Sequence, residues 1–200
     1  MKLFGNDPSL NILPYDGTVN YYSSVIDLKE SEEYFDLLLQ TSSWQHDKLI
    51  LFGKEHIMTR KVAWYGDDQF KYTYGSIQRA ALPWIPILEE LKSRIETITG
   101  EQFNSCLLNL YHNGSEGMGW HADNEPELGE NPVIGSISFG AERKFVFKHR
   151  QSKCKASIIL ENGSVLLMKG KTQKFWLHTL PASKRIIAPR INLTFRTIKN

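Results

Sequence analysis

Seven short stretches between residues 104 and 197 carry apolar residues in runs or in alternation and stop at Gly, Pro, Asn or charged turns: 104–111, 133–139, 144–149, 156–160, 164–168, 174–178 and 190–197. Each is short and bounded by turn residues, which marks strands rather than helices. So many short strands in one half of a chain close into a sandwich or a jelly roll. The last stretch constrains the interior most. In Arg190-Ile191-Asn192-Leu193-Thr194-Phe195-Arg196, period two puts Ile191, Leu193 and Phe195 on one face and Arg190, Asn192, Thr194 and Arg196 on the other. The polar face is either the wet outside of a sandwich or the lining of an anion site, because a guanidinium fork matches a carboxylate bidentately.

The first half reads differently. Residues 1–22 mix Pro, Asn, Asp and Gly with scattered apolar residues and suggest an arm wrapping the domain. Asp27 with Glu30 three residues on resembles a capping box and predicts a helix to about Gln40, with Tyr34, Phe35, Leu38 and Leu39 as its apolar positions. A second helix opens at Pro83-Trp84-Ile85-Pro86, repeats Ile87, Leu88, Leu91, Ile95 and Ile98 at helical spacing, and stops at Gly100. Between them, Leu49-Ile50-Leu51-Phe52-Gly53-Lys54 reads as a short strand and turn. Residues 59–66 and 72–76 are aromatic-rich and suit either edge strands or base-stacking platforms. The fold class expected is mainly β with supporting helices, in one compact domain.

One local pattern points to chemistry. In Gly119-Trp120-His121-Ala122-Asp123-Asn124-Glu125, an extended backbone would aim His121 and Asp123 the same way. With a distant histidine they make the two-His-one-carboxylate set of non-haem iron(II) oxygenases, which leaves positions open for a cosubstrate and O₂. His178, in a strand-like segment, is the candidate third ligand, and His149 is the alternative. The glycines at 114, 117 and 119 give a flexible approach, and no helix pattern follows them to make a phosphate loop. Asn109 and Tyr111 share a face at the end of an apolar strand. His46, His56, His112 and His149 have no paired carboxylate at ligand spacing, which favours surface or structural roles.

Charge distribution adds a weaker signal. The net charge is only +2, but Lys and Arg outnumber Asp and Glu 14 to 8 in residues 101–200, against 10 to 14 in residues 1–100. Lys144, Lys148, His149, Arg150, Lys153 and Lys155 concentrate this charge, either as a solvated hairpin face or as a phosphate contact. Cys106 and Cys154 are the two cysteines. One lies in an apolar strand and the other in a charged loop, so a disulfide framework is not expected and a reducing compartment is. No apolar run reaches the length needed to span a bilayer. A cytoplasmic monomer without a membrane partner is the expectation.

Asn109-x-Tyr111, His121-x-Asp123, His178 and Arg190-x-Asn192-x-Thr194-x-Arg196 resemble, in order and spacing, the AlkB family of iron(II)/2-oxoglutarate-dependent dioxygenases, and most closely its DNA-alkylation-repair members. The segments Pro132–Gly140 and Phe145–His149 are also similar to that family, and the resemblance runs from about Leu51 to the C-terminus. It implies a double-stranded β-helix, or jelly roll, over residues 101–200, with residues 1–100 supplying the arm, the helices and a nucleotide-recognition lid. It implies Fe(2+) held by His121, Asp123 and His178, with 2-oxoglutarate and O₂ as cosubstrates. Arg190, helped by Tyr111, would meet the distal carboxylate; Asn109 and Arg196 would act near the metal, and Asn192 and Thr194 would complete the shell. Alkylated DNA, or RNA, would be the partner. Tyr65 and Tyr74 would belong to the lid, with Tyr74 stacking on the damaged base, and Glu125 would hydrogen-bond it. Phe52 would be a wedge inserted between base pairs, although a core phenylalanine fits the same run. A methylated protein or small molecule as substrate, and a non-catalytic β-barrel binding module, are the competing readings.

Overall fold

The computed structural model describes residues 7–51, 54–67, 70–74 and 77–199, and of residues 47–51, 54–56, 71–74 and 77–79 the backbone alone. The first half runs β1 (Thr18–Tyr22), α1 (Leu28–Thr41), β2 (Gln45–Leu51), β3 (Lys54–Gly66), β4 (Lys71–Tyr74), β5 (Ile77–Ala80) and α2 (Pro86–Thr99). The second half runs β6 (Ser105–Tyr111), β7 (Met118–His121), β8 (Ile134–Gly140), β9 (Arg143–His149), β10 (Lys155–Leu160), β11 (Ser164–Lys169), α3 (Thr172–Phe175), β12 (Trp176–Leu180) and β13 (Arg190–Arg196).

Two antiparallel sheets face each other. The larger has the order β1-β11-β8-β13-β6-β3-β2 and the smaller β10-β9-β12-β7. From β6 to β9, successive strands alternate between the sheets, and from β10 to β13 they do so again. That path is a jelly roll. The arm and lid expectations need correction here. Residues 18–22 form β1, an edge strand paired with β11 from Thr18↔Lys169 to Tyr22↔Val165. Residues 59–66 belong to β3, which pairs with β6 inside the larger sheet. Phe52 lies outside the described residues, and Tyr74 ends β4 with its side chain likewise outside them.

The helices cover the outer face of the larger sheet, and their ends follow local rules. The Asp27 carboxylate caps α1 by accepting the Glu30 N–H at 2.9 Å. Pro86 opens α2, and Gly100 closes it at φ 71°, a left-handed conformation that costs glycine little. Arg94 on α2 grips both carboxylate oxygens of Glu30 on α1. Ile191, Leu193 and Phe195 of β13, all at 0% exposure, pack with Leu88, Leu91 and Ile95 of α2. Each such side chain contributes about 1.5–3 kcal/mol relative to an exposed one. Since that face points to the helices, the alternate residues of β13 point between the sheets.

Candidate active site

Between the sheets lies a cavity of about 180 Å³. The alternation of the larger sheet explains its polarity. Arg190, Asn192, Thr194 and Arg196 of β13 line it, as do Asn109 and Tyr111 of β6. Strand register aligns the two polar faces, with Arg190 opposite Tyr111 and Asn192 opposite Asn109. Phe147, Trp176, Leu166 and Met168 pack together in a second apolar cluster between the sheets.

At one end, β12 pairs with β7 so that His178 sits directly across from His121. Their Nε2 atoms are 3.1 Å apart. Asp123 lies just past the end of β7, where its backbone N–H donates to the Gln173 side-chain oxygen at 3.0 Å. Its Oδ1 is 3.9 Å from His121 Nε2 and 3.1 Å from Arg196 Nη2. One ligand atom from each of His121, Asp123 and His178 falls within 4.8 Å of the others.

The protonation of the group suits a cation. His121 Nδ1 lies 2.8 Å from the Gly119 carbonyl. An acceptor there places the ring proton on Nδ1 and leaves the Nε2 lone pair facing the cluster. Burial pushes His178 down to about 3, with His121 and Arg196 acting the same way and Asp123 opposing, so this imidazole is neutral at physiological pH. For Asp123, burial alone would raise the pKa; Arg196 and the two imidazoles outweigh it and hold the carboxyl below its ordinary value. Two imidazoles and a carboxylate converging from one side are the donor set of a facial iron(II) site. The residues present fit that metal.

The other end is built for an anion. Arg190 is 2% exposed, donates through Nη2 to Ser138 Oγ at 3.0 Å and Asn192 Oδ1 at 2.7 Å, and has a buried Nε without a partner. Among the described residues no carboxylate lies within ion-pair distance of it. Burial pushes its pKa down to about 10, so it remains cationic at neutral pH. Asn192 passes the chain on, donating to Thr194 Oγ1 at 2.8 Å. The Asn109 side-chain oxygen is buried and unpartnered as well. One cavity therefore joins a metal-ligand cluster to a buried cation with no counter-ion.

The residues expected at the substrate end divide. Glu125 lines the cavity with a buried, unpartnered Oε2. Tyr65 does not: it is 1% exposed, packs in the cluster beneath the helices, and accepts the Ser43 N–H on its hydroxyl at 2.8 Å. Its assignment to the lid is corrected to the core. The reason is strand phase, since Ala63 and Tyr65 of β3 face the helices while Arg60, Val62 and Trp64 face the cavity.

Those three residues were missed, and so were Met118 and Gln173. The first three were within reach, because period two places them opposite Tyr65. Gln173 sits in α3, in a segment with no strand or helix period to flag it. His149 is no metal ligand. It is buried, its Nδ1 accepts the Ser152 N–H at 3.1 Å, and its ring meets those of Tyr15 and Trp176. It therefore also drops out of the basic surface, where Lys144 and Lys155 remain exposed and Lys148 sits 4.3 Å above the Trp120 ring. Among the described residues no helix is long and apolar enough to cross a membrane.

Comparison with known proteins agrees with this geometry. A family model described as the 2OG-Fe(II) oxygenase superfamily matches residues 18–196. Human DNA oxidative demethylase ALKBH2 is 37% identical over 202 residues, covering 96% of this chain and 77% of the relative. The bovine ALKBH2 is 39% identical over 86% of this chain, which spans 62% of that protein's length. Human alpha-ketoglutarate-dependent dioxygenase alkB homolog 3 is 38% identical over 88% of this chain and 65% of its own. Two solved structures share the fold at a TM-score of 0.59: OsALKBH1, 18% identical, covering 90% of this chain and 97% of that one, and an oxidoreductase of the 2OG-Fe(II) oxygenase family from Burkholderia pseudomallei, 16% identical, covering 91% and 87%. On a family match over nearly its whole length and these identities, the chain belongs to the AlkB family of the 2OG-Fe(II) oxygenase superfamily.

Proposed function

We propose that this protein is an oxidative demethylase of N-alkylated nucleic-acid bases, of the 1-methyladenine and 3-methylcytosine type. The observation that carries the reading is one cavity with a convergent His121, Asp123 and His178 at one end and the anion-less Arg190 at the other. Relatives bearing the name DNA oxidative demethylase support the choice of substrate. With 2-oxoglutarate and O₂, iron(II) in this site supplies the oxidation that hydroxylates an N-methyl carbon and releases succinate and CO₂.

The chain's own residues then have separable tasks. His121, Asp123 and His178 hold the metal, and Gln173 and the Gly119 carbonyl fix the orientation of two of them. Arg190 takes the distal carboxylate of 2-oxoglutarate, with the Tyr111 ring 5.6 Å from its guanidinium carbon. Asn109, which lines the cavity, donates through its side-chain amide N–H to the same ligand, and Arg196 neutralises Asp123. The walls of the jelly roll keep water from the reacting methyl group. Glu125 accepts a hydrogen bond from the exocyclic amine of the base on its free Oε2. The hydroxymethylated base then collapses to formaldehyde and the unmodified base.

A methyl on the Watson–Crick edge is out of reach inside a duplex, so the base must be flipped out or offered on a single strand. Phe52, before Gly53 and Lys54, is the wedge for that step, and Tyr74 stacks on the extruded base. Incubation of single-stranded oligonucleotides carrying either lesion with iron(II), 2-oxoglutarate and air tests the reading. Succinate and formaldehyde should appear in equal amounts. Succinate without formaldehyde on any methylated DNA or RNA would move the substrate to a methylated protein or small molecule, and neither product would sink the proposal.

A further inference from the structure

The β8–β9 corner delivers a second buried cation that no step above uses. Arg143 is 1% exposed. Its Nη2 donates to the Glu116 carbonyl at 2.8 Å, to the Pro181 carbonyl at 3.0 Å and, more weakly, to the Gly114 carbonyl at 3.4 Å. Among the described residues no carboxylate lies within ion-pair distance. Glu116, the acid whose charge reaches it at longer range, is already taken by the His112 N–H at 2.9 Å and its Nδ1 at 3.0 Å.

The three carbonyls belong to two loops, and each loop joins a strand end that lines the anion end of the cavity. The loop over residues 112–117 begins where β6 ends at Tyr111, and the loop over residues 181–189 ends where β13 begins at Arg190. The loops also bond to each other, Gly114 N–H to the Ile186 carbonyl and Ser183 N–H to the Gly114 carbonyl, both at 2.7 Å. They meet so closely that a Cβ on Gly114 would come within 2.2 Å of the Ser183 carbonyl oxygen. Arg143 is thus the pin through a seam that sets where Tyr111 leaves one strand and Arg190 enters another. Two guanidinium groups approach the Tyr111 ring, that of Arg143 at 5.9 Å and that of Arg190 at 5.6 Å from its centroid. The two cations feel each other: besides burial, the charge of Arg143 helps to hold Arg190 below its ordinary pKa.

We propose that Arg143 is a positioning residue for the cosubstrate, fixing Tyr111 and Arg190 through the two loops and adding a second positive charge behind the distal carboxylate. A desolvated cation without an anion lowers its own energy when an anion docks nearby. A ligand with two carboxylates gains from it, whereas a 2-oxo acid lacking the distal carboxylate gains nothing. The inference rests on the assignment of the Arg190 end to 2-oxoglutarate.

The test is calorimetric binding of 2-oxoglutarate and of 2-oxopentanoate to the manganese(II)-loaded protein, for wild type, Arg143→Gln and Arg143→Lys. Glutamine keeps a donor for the carbonyls and loses the charge; lysine keeps both. Arg143→Gln should bind 2-oxoglutarate about tenfold more weakly and 2-oxopentanoate as the wild type does. Arg143→Lys should stay within about threefold of the wild type for both. Equal weakening of both ligands, or none, in Arg143→Gln would overturn the inference. If that variant does not fold, Arg143→Met takes its place against the same two ligands, with selective weakening of 2-oxoglutarate upholding the inference and equal weakening, or none, overturning it. A wild-type protein that prefers 2-oxopentanoate would instead refute the cosubstrate assignment itself.

Discussion

Replacing Arg190 by Met separates ligand binding from folding, because the two effects differ in size and can be worked out from the site. The guanidinium is buried and has no anionic partner among the described residues. Removing it relieves an unpaired buried charge, which costs several kcal/mol. Against that stand the lost bonds to Ser138 Oγ and Asn192 Oδ1; Asn192 Oδ1 still accepts from Ser136 Oγ at 2.9 Å. The terms nearly cancel, so the ligand-free variant should melt within about 2–4 °C of wild type, equivalent to about 1 kcal/mol for a chain of this length.

Binding has no such compensation. A buried carboxylate that loses its cation costs about 3 kcal/mol, or roughly 100-fold in affinity. Thermal melting of the manganese(II)-loaded protein reads both effects. At 2-oxoglutarate near 100 times the wild-type Kd, the wild type should gain about 2.7 kcal/mol and the variant only about 0.4 kcal/mol. The ligand-induced rise in melting temperature is then about 5–11 °C for wild type and about 1–2 °C for Arg190→Met. Equal rises in both proteins, with matched ligand-free melting, would refute the assignment of this face to the cosubstrate. Because Arg190 stays charged until pH approaches about 10, the wild-type affinity should also be flat from about pH 7 to about pH 9, and a fall there would point to a different group.

Other outcomes follow from single contacts. Gln173→Leu leaves the buried Asp123 N–H unpaired and should weaken metal retention about 10- to 100-fold; an unchanged metal titration would remove Gln173 from the site. Tyr65→Phe loses one acceptor for the Ser43 N–H, so it should cost about 1 kcal/mol of stability and leave the preference between 1-methyladenine and 3-methylcytosine unaltered; an altered preference would return Tyr65 to substrate recognition. Phe52→Ala should reduce activity on methylated duplex DNA and spare a single strand of the same sequence; equal losses with a lower melting temperature would place Phe52 in the core.

Local signals carried well from sequence to structure wherever both partners of an interaction are near in the chain. Asp27 caps the helix it was expected to cap, and Gly100 ends the next one in the left-handed conformation a stop requires. Period two sorted the residues of β13 onto two faces as found, since Ile191, Leu193 and Phe195 are buried together, but it left open whether the polar face met water or a cavity. Signals that depend on a distant partner failed. Thr18–Tyr22 is a strand because β11 lies beside it, and nothing within Thr-Val-Asn-Tyr-Tyr reports that neighbour. Tyr65 has the composition of a stacking residue, but its strand runs through the larger sheet in the phase that turns it to the helices. His149 reads as charge in a basic run until Tyr15 and Trp176, from both ends of the chain, bury it.

At the centre of the proposed function, His121, Asp123 and His178 hold the iron with which this chain strips a methyl group from a base. Mass spectrometry of a short 3-methylcytosine oligonucleotide, incubated in air with iron(II), 2-oxoglutarate and either wild-type protein or His178→Ala, tests it most directly. The wild type should remove one CH₂, dependent on both iron(II) and 2-oxoglutarate, and the variant should leave the mass unchanged. Demethylation by the wild type without 2-oxoglutarate, or at full rate by His178→Ala, would contradict it.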